Sequence, residues 1–232
     1  MKFSEPLMRG KLIKRYKRFL ADIKLDDGRE ITAHCANSGS MLGLNVPGAE
    51  VWISPANNPK RKLKYTWEMI KMENSLVGIN TSLPNKIVQE AIENGDVEKL
   101  AGYPSLRREV KYGENSRIDI LLEDEGLPTC YVEIKSVTMK RHDLAEFPDA
   151  VTTRGTKHLR ELVNQVKKGD RAVMFYLVQR EDCDRFTIAG DIDPGYAEAL
   201  QAAKFGGVEV LCYSCRVRPE GISLSWKLPL DV

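Results

Sequence analysis

Long apolar runs are missing from this chain: the longest, Ala172 to Val178, falls far short of the roughly 20 residues a membrane helix needs. The opening segment, Met1 to Arg18, carries basic residues but no apolar core of a secretory signal. A cytoplasmic protein without a membrane partner is the expectation. Cysteine is scarce, and its odd number, five at irregular spacing, fits reduced thiols better than a disulfide framework. In Cys212-Tyr213-Ser214-Cys215 no second CxxC or nearby histidine completes a zinc site, and no helix follows as in a thioredoxin-like motif. Ordinary buried thiols are expected there. The absence of GxSxG, a Walker A loop and a dinucleotide fingerprint leaves serine hydrolase and nucleotide-binding readings without support. Nothing resembles a helix-turn-helix unit for base-specific readout, and the chain has no internal repeat or low-complexity segment.

At 232 residues the chain can form one large domain or two small ones. Charge separates two parts. Residues 1–80 hold 14 Lys and Arg against 8 Asp and Glu, while the whole chain is only +2, so the remainder is net −4. Any polyanion is therefore expected mainly on the N-terminal part.

The fold class expected is α+β, with a first domain over 1–80 and a second over 81–232. Residues 1–80 read as all-β. Leu7 to Leu25 contains β-compatible runs, Asp26-Asp27-Gly28 is a turn, Glu30 to Cys35 alternates, and further strands begin at Gly48, Lys64 and Ser75. About five short strands predict a small Greek-key barrel of the OB type, with an SH3-like barrel as the alternative. Leu83-Pro84-Asn85 then opens an amphipathic helix stopped at Gly95. Beyond it come a strand pair, Leu106 to Tyr112 and Arg117 to Leu122, around the turn Gly113-Glu114-Asn115-Ser116, and then a strand from Cys130 to Val137. A helix follows over Thr156 to Lys168, the doubly buried strand Ala172 to Val178, a helix from Pro194 capped by Asp193, and a strand from Val208 to Tyr213. This order describes an α/β domain with a mixed sheet flanked by helices.

Three acid-x-Lys triplets occur: Asp22-Ile23-Lys24, Glu109-Val110-Lys111 and Glu133-Ile134-Lys135. Strand alternation discriminates among them. Tyr131, Glu133 and Lys135 face one way, and Asp119, with Arg117 and Leu121, opposes Ile118, Ile120 and Leu122, so Asp119 and Glu133 are expected on one polar edge. Two such carboxylates can share a hard divalent cation, Mg²⁺ or Mn²⁺, with the Ile134 carbonyl completing the set and Lys135 orienting a water. Glu109 and Lys111 can line the same cleft, and Glu90 on the preceding helix is a candidate fourth acid. The competing reading is a set of surface ion pairs. In the segment Phe147 to His158, a helix N-terminus with Arg154 or Lys157 can meet a phosphate, and His158 either assists proton transfer or is structural. Gln165, two turns on, is a further candidate.

The N-terminal part carries a nucleic-acid signal. Lys11, Lys14, Arg15, Lys17 and Arg18 interleave with Tyr16 and Phe19, and Lys60, Arg61, Lys62 and Lys64 run into Tyr65 and Trp67. Charge with stacking rings suits a strand-binding groove. The alternative places Phe19 and Trp52 in the barrel core. Asn57-Asn58-Pro59 is expected to be an exposed loop.

The order of helical Glu90, strand Asp119 and Glu133-Ile134-Lys135 resembles the PD-(D/E)xK nuclease superfamily, although Ile118 rather than Pro precedes the Asp. The whole chain resembles the bacterial sugar fermentation stimulation protein family through Arg15-Tyr16-Lys17-Arg18-Phe19-Leu20-Ala21-Asp22, Glu109-Val110-Lys111-Tyr112-Gly113, Ser116-Arg117-Ile118-Asp119, Glu133-Ile134-Lys135-Ser136-Val137, Phe147-Pro148-Asp149-Ala150-Val151-Thr152 and Lys157-His158-Leu159-Arg160-Glu161-Leu162. The resemblance implies an N-terminal OB-fold, a C-terminal nuclease-like domain, sequence-independent DNA binding and a regulatory role in maltose metabolism. Activity as a Mg²⁺-dependent nuclease is the rival expectation.

Overall fold

Alternation in the first strands puts Leu12, Ala21, Ile23, Leu25, Ala33 and Cys35 on one side, and all six are buried in a single core. They belong to β1 (Met8–Tyr16), β2 (Leu20–Leu25) and β3 (Glu30–Cys35), while β4 (Glu50–Pro55) and β5 (Tyr65–Met72) add Val51, Ile53, Trp67 and Ile70. The computed structural model describes residues 1–232 except Asn57, Pro59, Glu114 and Asn115. The expected loop at 57–59 and hairpin turn at 113–116 therefore lie partly outside the described residues. Five strands close into a ring: β1 pairs with β2 and β4, β2 with β3, β4 with β5, and β3 meets β5 at His34 opposite Thr66. The ring is an OB-type barrel, and β6 (Ser75–Gly78) extends β5 beyond it.

Helix α1 (Pro84–Glu93) starts with proline in its first turn and buries Ile87, Val88 and Ala91. After it, β7 (Ser105–Tyr112), β8 (Ser116–Glu123) and β9 (Cys130–Val137) form an antiparallel meander. The chain continues through β10 (Met139–Arg141), β11 (Leu144–Phe147), α2 (Thr153–Val166), β12 (Arg171–Val178), β13 (Arg185–Ile188), α3 (Pro194–Phe205), β14 (Glu209–Arg218), β15 (Gly221–Lys227) and β16 (Leu230–Asp231). The main sheet runs β15-β14-β12-β9-β8-β7, with β9, β12 and β14 mutually parallel. Helix α1 covers the face of Ile120, Val132 and Phe175, and α2 with α3 covers the face of Leu121, Met174 and Tyr176. Both faces of β12 are buried, as its unbroken apolar run requires. Thus the second part is the expected α/β unit, a mixed sheet flanked by helices. A second sheet, β10-β11-β13-β16, was not foreseen, because strands of two to four residues are too short to show alternation.

The two parts share an interface. Met1, Met69 and Trp52 pack in the cluster under α1, and the Gly78 N–H donates to the Gln179 carbonyl at 2.9 Å. Asp149 accepts from Ser40 Oγ at 2.9 Å and from the Met41 N–H at 3.0 Å. Trp52 therefore fills this interface, and Phe19 is 44% exposed, so neither is barrel core. Trp67 is the core tryptophan: it is fully buried, its Nε1 donates to the Met69 carbonyl, and it is not a stacking platform. All five cysteines are buried free thiols. Among the described residues no helix is long and apolar enough to cross a membrane.

Candidate metal centre and nucleic-acid interface

The site originates where β8 and β9 part. Their pairing ends at Ile120 opposite Val132, so the next residues on each strand, Asp119 and Glu133-Ile134, border a split in the sheet. The Ile134 N–H fills it by donating to Asp119 Oδ2 at 2.7 Å. A strand residue's N–H and C=O leave on the same side, so the Ile134 carbonyl faces that gap too. On the far side of β8, Glu109 stands opposite Asp119 with a φ of 54°, and the ladder skips this pair. Alternation also fails along β8: Ile118 packs with Leu121 on the α2 side, whereas Ile120 and Leu122 lie under α1.

Glu133 points at α2 and is 3% exposed. The expected polar edge is therefore a buried pocket, because α2 lies across it. Surface ion pairs do not describe it: the Lys135 and Glu133 side chains, 2.8 Å apart, are 14% and 4% exposed. Glu133 Oε1 receives Lys135 Nζ and His158 Nδ1. Arg154 Nε donates to His158 Nε2 at 3.3 Å, which makes Nε2 the acceptor and leaves Nδ1–H for Glu133. His158 and Arg154, expected as secondary candidates, thus act as a chain that orients Glu133. Burial alone would raise the Glu133 carboxyl, but the His158 hydrogen bond and the Lys135 charge outweigh it and hold it below its ordinary value. Asp119 has the opposite balance. Burial, and then the neighbouring Glu133 charge, push it up to about 6 against the bonds from Ile134 and Asn85.

Glu133 Oε2 is buried without a hydrogen-bond partner among the described residues. Such an oxygen calls for a proton or a cation, and its neighbour Asp119 is short of positive charge as well. Among the described residues no three His, Cys, Asp or Glu side chains form a ready-made cage. Two carboxylates and a carbonyl nonetheless suit Mg²⁺ or Mn²⁺, since the former keeps several waters and takes only one or two carboxylates.

Glu90 does not supply the fourth acid. Its carboxylate accepts from the Met1 amino group at 2.8 Å, and the α1 side chain that reaches the site is Asn85, bonded to Asp119 Oδ1 at 2.8 Å and Glu109 Oε1 at 3.2 Å. Five helical residues carry a side chain about 140° around the axis, so the two cannot share a target. Lys111 sits opposite Arg117 and is exposed. At the N-terminus of α2, Thr152 caps Gly155 N–H and Arg154 is engaged with His158, so the expected phosphate cradle is partly filled by the chain itself. Sequence reasoning missed Asn85 and Glu161. Glu161 is buried, its oxygens accept no hydrogen bond among the described residues, and Lys157 Nζ stands 3.6 Å away. Its signal was the polar series His158, Glu161, Gln165 at helical spacing on one face of α2, all three buried.

Of the expected nucleic-acid contacts, Arg15 is turned inward: its guanidinium donates to the carbonyls of Arg18, Asn37 and Gly39, pinning the loop that holds Asp149. Lys17 and Arg18 form the exposed β1–β2 turn, both with positive φ. Lys60, Lys62 and Lys64 are exposed, and Arg61 donates to Thr66 Oγ1 at 3.2 Å.

Residues 13–79 match the family model of the SfsA N-terminal OB domain, and residues 82–221 match the sugar fermentation stimulation protein RE domain. The chain belongs to the sugar fermentation stimulation protein family. The sugar fermentation stimulation protein homolog of Paramagnetospirillum magneticum is 61% identical over 232 residues, covering 100% of this chain and 98% of the relative. The homolog of a Ruegeria species is 55% identical over 231 residues, covering 99% and 100%. A solved member, Pyrococcus furiosus SfsA in complex with Ca²⁺, superposes with a TM-score of 0.91 at 26% identity, covering 100% of this chain and 98% of that one.

Proposed function

We propose that this member of the family binds DNA without sequence preference and carries a nuclease-type divalent-metal site, with residues 1–80 as the nucleic-acid-binding domain and 81–232 as the nuclease-like one. The observation that carries the reading is the buried Glu133 Oε2, without a hydrogen-bond partner among the described residues, beside an Asp119 whose proton is held up to about 6. Asp119, Glu133 and the Ile134 carbonyl would hold Mg²⁺ or Mn²⁺, and the Ca²⁺ complex of the Pyrococcus relative supports an oxygen-rich divalent site. When bound, the ion supplies charge stabilisation at a phosphate and a more acidic water. Lys135 then keeps a fixed ammonium beside Glu133, and His158 with Arg154 keeps Glu133 in place. On the barrel, Lys17, Arg18, Lys60 and Lys62 attract phosphates without reading bases. Through such occupancy of DNA the protein would act in the cytoplasm as a regulator of sugar metabolism, maltose use included.

The position of Lys135, within hydrogen-bond distance of Glu133, favours a second reading, an active endo- or exonuclease hydrolysing phosphodiester bonds. Incubation of pure protein with single-stranded, double-stranded and branched DNA and Mg²⁺ or Mn²⁺ tests both readings. Binding that weakens with salt is expected in all cases. Metal-dependent cleavage lost in Asp119→Asn and Lys135→Ala establishes the nuclease, and cleavage that persists in both variants overturns the site.

A further inference from the structure

Away from the Asp119 site, the barrel carries an open polar cavity of about 580 Å³, lined in part by His34, Ser54, Arg61, Thr66, Glu68 and Asn80. Glu68 is there because β5 bulges: the register with β4 slips by one between Met69 opposite Trp52 and Trp67 opposite Ile53, and Glu68 is the extra residue. Its carboxylate is fixed by Ser54 Oγ at 2.6 Å and Asn80 Nδ2 at 2.7 Å, and the residue is 4% exposed. Burial still pushes its carboxyl up despite those bonds. Each carboxylate oxygen retains a further lone pair. Arg61 is tethered through Thr66. Next to this floor the 44% exposed Phe19 ring, carried on the β1–β2 turn, stacks against His34 with centroids 6.3 Å apart and planes 28° apart.

A ring platform beside fixed donors and acceptors matches a flat heterocycle with a polar edge. We propose that this cavity binds one unpaired base of a DNA single strand, the base stacking on Phe19 and His34 and its edge meeting Arg61, Glu68 and Asn80. The inference rests on the DNA-binding reading and narrows it. In a duplex the base faces are stacked and the edges paired, so only an unpaired base reaches both the ring and the floor. Stacking tolerates every base, so any preference is confined to the one base whose edge meets the floor.

The test is fluorescence anisotropy of the full chain at one salt concentration, without divalent ions. The probes are a labelled mixed-sequence single strand, an abasic strand of equal length and the matching duplex. The wild type is expected to bind the mixed strand about 5- to 100-fold more tightly than the abasic one. Phe19→Ala, at an exposed position, should lose most of that difference while its affinities for the abasic strand and the duplex stay within about twofold. A wild type that binds mixed and abasic strands equally, or a Phe19→Ala variant that still discriminates, overturns the pocket and leaves DNA binding standing. A wild type that binds none of the three probes overturns the DNA-binding reading and the pocket with it.

Discussion

The Ile134 N–H donates to Asp119 Oδ2 at 2.7 Å, from fifteen residues further along the chain and across the point where β8 and β9 separate. One bond thereby closes the split with a side chain in place of a ladder partner, and it leaves the adjoining carbonyl available.

Asp119 makes the metal-free protein pH-sensitive. Its folded carboxyl, at about 6, lies above the ordinary 3.8, so the native state holds this proton more tightly. Stability that is fully present below 3.8 is therefore lost as pH rises through about 6, with an upper bound of about 3 kcal/mol. Asp119→Asn is expected to stabilise the metal-free protein by about 1–3 kcal/mol at pH 7.5 and not at pH 3.5. Urea unfolding at both values checks this, and equal destabilisation at both would contradict it. Calorimetric Mg²⁺ binding should vanish in the same variant.

His158→Ala removes the group that orients Glu133. A loss of about 1.5–3 kcal/mol in stability at neutral pH is expected, typical of a hydrogen bond to a charged group. Because the Glu133 carboxyl is held below its ordinary 4.5, this contribution is present above 4.5 and disappears as the pH falls through the folded value. Metal affinity, read by calorimetry, should drop about 10- to 100-fold. Unchanged affinity would mean that Glu133 needs no support.

Glu90→Gln and Asn85→Ala separate the two polar residues of α1. Titration with Mn²⁺ should show Glu90→Gln within about twofold of wild type, since its carboxylate serves the Met1 amino group. Asn85→Ala, which releases Asp119, should change the affinity several-fold, about 1 kcal/mol. The reverse order would restore Glu90 to the site.

On the barrel, Arg15→Ala is expected to act on stability and the Lys60→Ala, Lys62→Ala pair on binding. Thermal unfolding should report about 1–3 kcal/mol lost in Arg15→Ala, whose guanidinium donates to the carbonyls of Arg18, Asn37, Gly39 and Ser40. For the lysines, the slope of log affinity against log salt should flatten by about 0.7 to 0.9 per phosphate contact removed. A slope identical to wild type would move the DNA path to another face.

Legibility followed range. The barrel strands, the doubly buried β12, the Pro84 helix start and the Asp193 cap, whose side chain receives the Tyr196 N–H, could be read because each is set by neighbours a few residues away. Trp67 and Arg15 were misread for the opposite reason. A basic or aromatic residue looks alike whether it meets solvent or the Met69 carbonyl, and only packing decides.

Sequence alone determined that Asp119, Glu133 and Lys135 would stand on adjacent strands, since pleating and short turns are local properties. That Glu133 is buried under α2, that Asn85 rather than Glu90 reaches Asp119, and that His158 and Arg154 fix the carboxylate were decided only by the tertiary structure. Desolvation and charge pairing depend on residues up to 34 positions apart meeting in space, as Glu68's bulge and the Phe19 ring also require at the barrel.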